Sequence, residues 1–163
     1  MSCLFRRSFM AAMALTLIAP VVVEASGPRG TRRPPTRMET EVETEARLVG
    51  VGAQLSARGE AEHEVETKTV LATGVSTTKS ELEISVKRLA LANGTVVSFQ
   101  LNGTEIGTGA VRYARASLRL SSFRGNTVPD VLEGDTLTVV AADGTVLLTG
   151  TFGAAETEVE YKR

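Results

Sequence analysis

Between Ser80 and Arg88 the chain alternates strictly: Leu82, Ile84 and Val86 fall on one side, and Glu81, Glu83, Ser85 and Lys87 on the other. Successive side chains leave a strand on opposite faces, so a period of two describes a strand with one side on a core and one in water. Helical spacing fits this segment badly. From Ala46 onward the same test finds strands at 47 to 55, 59 to 68, 80 to 91, 95 to 101, 105 to 113, 115 to 121, 135 to 141 and 145 to 152, with a further short one at 156 to 161. No convincing helix interrupts them. Eight or nine short strands in one chain predict an all-β domain, an antiparallel β-sandwich or barrel of about eight strands.

Turn chemistry points the same way. Asn93-Gly94, Asn102-Gly103 and Asp143-Gly144 each separate two of these strands. Such pairs accept the positive φ that a tight hairpin needs, and three of them predict an antiparallel meander. Gly50, Gly52, Gly107 and Gly109 interrupt strands, where glycine marks bulges or close sheet-to-sheet approach. Residues 69 to 78 lack a clear pattern and read as a long hairpin loop or edge excursion. The stretches 91 to 97 and 141 to 147 look alike at a spacing of 50 residues, as two hairpins or an internal duplication would.

The N-terminal segment carries a different message. Arg6 and Arg7 precede an apolar stretch from Met10 to Val23, which is interrupted by Pro20 and ends in Val23-Glu24-Ala25. A basic start, an apolar stretch too short to span a bilayer unaided and a small-residue cleavage context describe a signal peptide over residues 1–25. Arg6-Arg7-Ser8-Phe9-Met10 also resembles the twin-arginine signal, and both that route and ordinary unfolded export stay open. Export predicts a periplasmic or extracellular bacterial protein with no stable membrane insertion after cleavage. Cys3, the one cysteine, leaves with the signal, so disulfides are excluded from the remainder.

Residues 26–45 are Pro, Arg, Thr and Glu with almost nothing apolar, a composition that cannot offset its ordering entropy and reads as a disordered linker. Its arginines (Arg29, Arg32, Arg33, Arg37) come before its glutamates (Glu39, Glu41, Glu43, Glu45), as in a solvated spacer or a basic contact patch. Residues 46–163 then form a single all-β domain. After cleavage 16 basic and 18 acidic residues remain, a net charge of −2 that offers no global attraction to nucleic acid or anionic lipid.

Catalytic chemistry finds little to use. His63, the single histidine, sits in Gly59-Glu60-Ala61-Glu62-His63-Glu64-Val65-Glu66, where alternation sends the four glutamates to the strand face opposite the imidazole. A Ser-His-acid arrangement on His63 lacks a Gly-x-Ser-x-Gly elbow, and one imidazole without thiolates is a poor start for zinc. The glutamate run predicts a cross-strand charge ladder with Lys79 and Lys87 or Arg115 and Arg119. Its functional alternative is a divalent-cation site or a surface for a basic partner. Asp130-Val131-Leu132-Glu133-Gly134-Asp135 holds two of the three aspartates, without the regular spacing of a calcium loop, and reads as a turn. Most of the exported chain's aromatics, Phe99, Tyr113, Phe123, Phe152 and Tyr161, fall on expected core faces, which disfavours a carbohydrate-stacking platform. Asn93-Gly94-Thr95 and Asn102-Gly103-Thr104 match glycosylation acceptors but serve better as hairpin corners.

Ala92-Asn93-Gly94-Thr95-Val96-Val97, Leu101-Asn102-Gly103 followed by Gly107, Thr127-Val128-Pro129, Gly134-Asp135 and Leu148-Thr149-Gly150-Thr151-Phe152 form a turn and strand-end pattern. On it, the stretch from Arg47 to Phe152 resembles a group of uncharacterised secreted bacterial all-β domains. That resemblance implies fold and location, and no activity. Asn126 stands where the pattern often has an acidic residue.

The sequence therefore predicts an exported, non-enzymatic β-domain, a structural or macromolecule-binding module of the cell envelope, with no catalytic, cofactor-binding or metal residues assigned and its partner unnamed. A secreted hydrolase using His63 with neighbouring carboxylates and a calcium-stabilised adhesion module are the alternatives.

Overall fold

The computed structural model describes residues 34–163; the expected signal peptide and the start of the expected linker lie outside them. Nine strands follow one another: β1 (Arg37–Gly50), β2 (Arg58–Val70), β3 (Val75–Lys87), β4 (Val96–Leu101), β5 (Thr104–Ala110), β6 (Arg115–Ser121), β7 (Thr136–Ala141), β8 (Val146–Thr151) and β9 (Glu156–Lys162). All pair antiparallel in the order β5-β4-β7-β8-β1-β2-β3-β6, with β9 added beside β1. The predicted all-β antiparallel class holds.

The two ends of this sheet meet and nearly close it into a barrel. A Cβ on Gly109 of β5 would stand 2.9 Å from the Ser117 carbonyl oxygen of β6, and one on Gly107 would stand 2.8 Å from Leu118 Cδ1. Only glycine lets β5 lie this close to β6, which bears out close approach as the reason for these glycines. Inside, the alternating residues read from the sequence converge: Leu48, Ala61, Leu82, Ile84, Val86, Val97, Phe99, Leu137, Val139, Leu148 and Phe152 are buried in one cluster. Each large member contributes about 1.5 to 3 kcal/mol of transfer free energy, opposed by the entropy of ordering the chain.

Strands β1, β2 and β3 are twice as long as the barrel needs. Beyond Thr44, His63 and Leu82 they continue together, and β9 joins the outer side of β1 by pairing Glu43 with Glu156 through Arg37 with Lys162. The result is a four-stranded sheet extension in the order β9-β1-β2-β3. Its face continuous with the barrel interior carries Met38, Thr40, Val42, Val65, Thr67, Thr69 and their neighbours, and its other face carries nearly all the charge. A threonine hydroxyl ladder crosses the first face, with Thr67 Oγ1 and Thr78 Oγ1 3.1 Å apart and Thr69 Oγ1 2.8 Å from Ser76 Oγ.

Several local expectations change. Residues Arg37 to Glu45, whose composition reads as linker, form the first half of β1, because their glutamates alternate with Met38, Thr40 and Val42. Residues 69 to 78, read as a long hairpin loop or edge excursion, are strand on both sides of a short turn, Leu71 to Gly74, with the β3 side at the sheet edge. β1 ends at Gly50 rather than Leu55, where a 3₁₀ turn buries Gln54 and lets its side-chain oxygen accept from the Ala90 amide at 2.8 Å. Asn93-Gly94 closes no hairpin: β3 pairs with β2 and β6, and β4 with β5 and β7, so the chain crosses over here and the sheet is not a simple meander. Asn102-Gly103 and Asp143-Gly144 do join paired strands, β4 to β5 and β7 to β8.

Candidate functional site

His63 faces the barrel interior on β2, between Thr44 and Leu82, with 6% of its surface exposed. Burial holds its imidazole below the ordinary pKa, against an opposing pull from Asp130. Glu60, Glu62, Glu64 and Glu66 point the other way, as alternation predicts, so carboxylates and imidazole are on opposite sides of the sheet. His63 also stays out of the surface hollows lined by Arg58 and Lys87, by Glu43 and Glu156, and by Glu64 and Arg119. Among the described residues no three His, Cys, Asp or Glu side chains gather as a metal would require. Asp135 is occupied in a turn, accepting from the Leu132 amide and from Asn102 Nδ2 at 2.8 Å each, and these bonds hold its carboxyl below the usual range.

The aromatic expectation fails in an informative way. Phe99 and Phe152 are core, but Tyr113, Phe123 and Tyr161 are 87%, 83% and 60% exposed. Tyr161 sits on the inward-type face of the extension, where no core forms among the described residues to receive it. Phe123 follows β6 in a 3₁₀ turn, with the Lys79 ammonium 5.8 Å from its ring centre, a cation–π contact at the surface. Tyr113 occupies the hairpin turn before β6. They belong to three different elements and make no platform.

Charge is what the outer surface organises. In register across the extension run Glu156, Glu43, Glu64 and Glu81, one from each of four strands. Neighbouring glutamates bring the extension to nine, against Arg37, Lys68, Lys79 and Lys162. The cations gather towards its far end: Lys68 reaches Glu66 at 2.5 Å, Lys79 reaches Glu66 at 3.6 Å, and Lys162 pairs with Glu39. The Lys162 and Lys68 hydrogen bonds respectively hold Glu39 and Glu66 below the ordinary carboxylate range. Glu43 and Glu64 shift the other way. Partial burial pushes their carboxyls up, joined by repulsion from Glu62, Glu45 and Glu156 at Glu43 and from Glu41, Glu66 and Glu81 at Glu64. The predicted ladder thus forms in part: Lys87 pairs with Glu60 at 3.5 Å, Arg119 turns to Glu81 and Glu83 of β3 instead, and Arg115 joins no ion pair among the described residues.

No family model and no curated protein matches this chain.

A second row, which the sequence did not reveal, lies at the opposite end of the barrel. Arg58 of β2, Lys87 of β3, Arg115 of β6 and Arg112 across the turn are register neighbours, four bases side by side. On β3 Lys87 lies only six positions from Glu81, about 20 Å of strand. Sequence spacing hides both rows because their members are far apart along the chain. Only the sheet order brings them together.

Proposed function

We propose that this chain is exported and works outside the cytoplasm as a non-enzymatic β-domain, whose strand edges and end loops bind another macromolecule of the bacterial envelope. The observation that carries the reading is the sheet extension. A four-stranded sheet with a charged face, and with a hydroxyl and apolar face uncovered and outer edges on β9 and the first half of β3 unpaired among the described residues, is ready-made for pairing and docking. The signal-like N-terminus, the single cysteine within it and the position of His63, turned away from the glutamates beside it, support the same reading. The test is fractionation of a bacterial host expressing the chain with a C-terminal tag, followed by cross-linked affinity capture. Cleavage near Ala25, recovery outside the cytoplasm and capture of one envelope component by both the native chain and His63→Ala are expected. An intact N-terminus on cytoplasmic protein, or capture lost with His63→Ala alone, would overturn the proposal.

A further inference from the structure

Arg112 and Arg115 face each other directly across a two-residue hairpin turn, each amide donating to the other's carbonyl, at 2.8 and 3.0 Å. Like charges in that position repel, and both side chains are exposed with no ion pair among the described residues. The turn between them, Tyr113-Ala114, is equally unusual. Both residues have positive φ, 51° and 59°, a conformation that hairpins normally give to Asn-Gly. A third such residue, Arg88 at 63°, adjoins it, since the Leu89 amide donates to the Ala114 carbonyl at 3.0 Å, while Asn93 Oδ1 accepts from the Tyr113 amide at 2.8 Å. Three of the four described non-glycine residues with positive φ therefore meet at one spot, and what they present is an aromatic ring at 87% exposure between two uncompensated guanidiniums. Exposed Tyr flanked by Arg on a fixed backbone is the composition of a binding hot spot.

The complementary surface is on the same molecule. Glu43, Glu45 and Glu156 rim a hollow of about 480 Å³ beside the base of the extension, with Arg47 at its side and the small residues Gly153 and Ala154 leaving room within. The acidic row that enters it and the basic row that ends at Arg112 both run across strands, so their charges share the strand spacing of roughly 4.8 Å. Lys87 and Glu81 are paired within the molecule, to Glu60 and Arg119, but Arg112 and Arg115, at the end of the basic row, join no ion pair among the described residues.

We infer that the Tyr113 turn, with Arg112 and Arg115, docks into the Glu43-Glu45-Glu156 hollow of a second copy of this chain, so that molecules associate head to tail. Tyr113 fills the space over Gly153 and Ala154, and the guanidiniums take the carboxylates. A head-to-tail contact of this kind leaves the hollow of one molecule and the turn of the other free for a further copy. The inference names one partner for the end loops of the function proposed above; it does not depend on export or on any envelope component.

Sedimentation of the purified exported form at low and high salt tests it. The native chain should associate at low salt and dissociate as salt rises. Arg112→Ala with Arg115→Ala, and separately Glu43→Gln with Glu156→Gln, should each weaken association at least tenfold. Mixed, the two variants retain one native contact between them and should form a one-to-one dimer that grows no further. Tyr113→Asn with Ala114→Gly should raise the melting temperature by relieving the turn while also weakening association, a pairing of effects that a merely structural turn would not give. A native chain that stays monomeric at low salt overturns the inference, even if it binds an envelope component. So does association that survives either pair of substitutions, or a mixture that stays monomeric.

Discussion

The barrel and the extension share three strands, β1, β2 and β3, yet among the described residues only the barrel has an inside. In the barrel the inward residues of β1, β2 and β3 are Ala46, Leu48, Ala61, Leu82, Ile84 and Val86, and strands across the core cover them. Past Thr44, His63 and Leu82 the alternation continues without a change of register, but the inward residues become Val42, Thr40, Val65, Thr67, Ser80 and Thr78. Thr and Val fit a pleated surface well, so the strands persist without a covering layer. A period of two specifies a strand; the chemistry of its inward residues decides whether anything packs on it.

The sharpest way to break this comparison is to truncate one inward side chain on each side. Phe99→Ala in the barrel core should cost about 3 to 5 kcal/mol. Thr67→Ala, which removes one member of an exposed hydroxyl pair in the extension, should cost less than about 0.5 kcal/mol. Urea denaturation followed by circular dichroism measures both, and similar costs would erase the distinction. Next in size, Tyr113→Asn with Ala114→Gly should stabilise the barrel by about 1 to 2 kcal/mol, because it gives a left-handed turn the residues that adopt it. An unchanged melting temperature would show the turn to be unstrained.

Electrostatics separates the regions more gently. A carboxyl whose folded pKa is raised destabilises the fold when ionised, and that cost disappears as pH falls through the raised value. Glu43 and Glu64 therefore weaken the extension at neutral pH, and mild acidification relieves chiefly the cost of their burial as anions and then the repulsion from neighbouring glutamates. Glu39 and Glu66 have lowered pKa values, so the stability they contribute is complete above the ordinary carboxylate range and is lost as pH falls through their folded values. The extension should be firmest in the mildly acidic window between these effects. Glu64→Gln should stabilise it at neutral pH and do nothing at mildly acidic pH, read by the fluorescence of Tyr161 in a Tyr113→Asn background. A gain of equal size at both pH values would contradict the repulsion. Smallest of all, truncation after Ala155 removes β9, which pairs only with the extension half of β1, and should leave the barrel's melting temperature unchanged.

What was legible in the sequence follows the same division. Alternation placed Leu82, Ile84 and Val86 inside, turned His63 inward and its flanking glutamates outward, and bounded β6 at Arg115 and Ser121, because an aliphatic inward row is a strong signal. The extension was missed because its inward row is hydroxyl-rich, so residues 37 to 45 read as linker and 69 to 78 as loop. Sheet order was not legible either: alternation tells a strand which face is inward but not who its neighbour is, and Asn93-Gly94 looks the same at a crossover as in a hairpin. The basic row depends on that order, and the Tyr113-Ala114 turn lacks the Asn or Gly that would have announced it.

Native-state hydrogen exchange tests the central claim, that one continuous set of strands is divided into a cored barrel and an open extension. Amides of Ala46, Ile84 and Val139 should exchange only through global unfolding, while those of Val42, Val65 and Lys79 should exchange through a separate opening of much lower free energy. Equal exchange free energies along β1, β2 and β3 would contradict it.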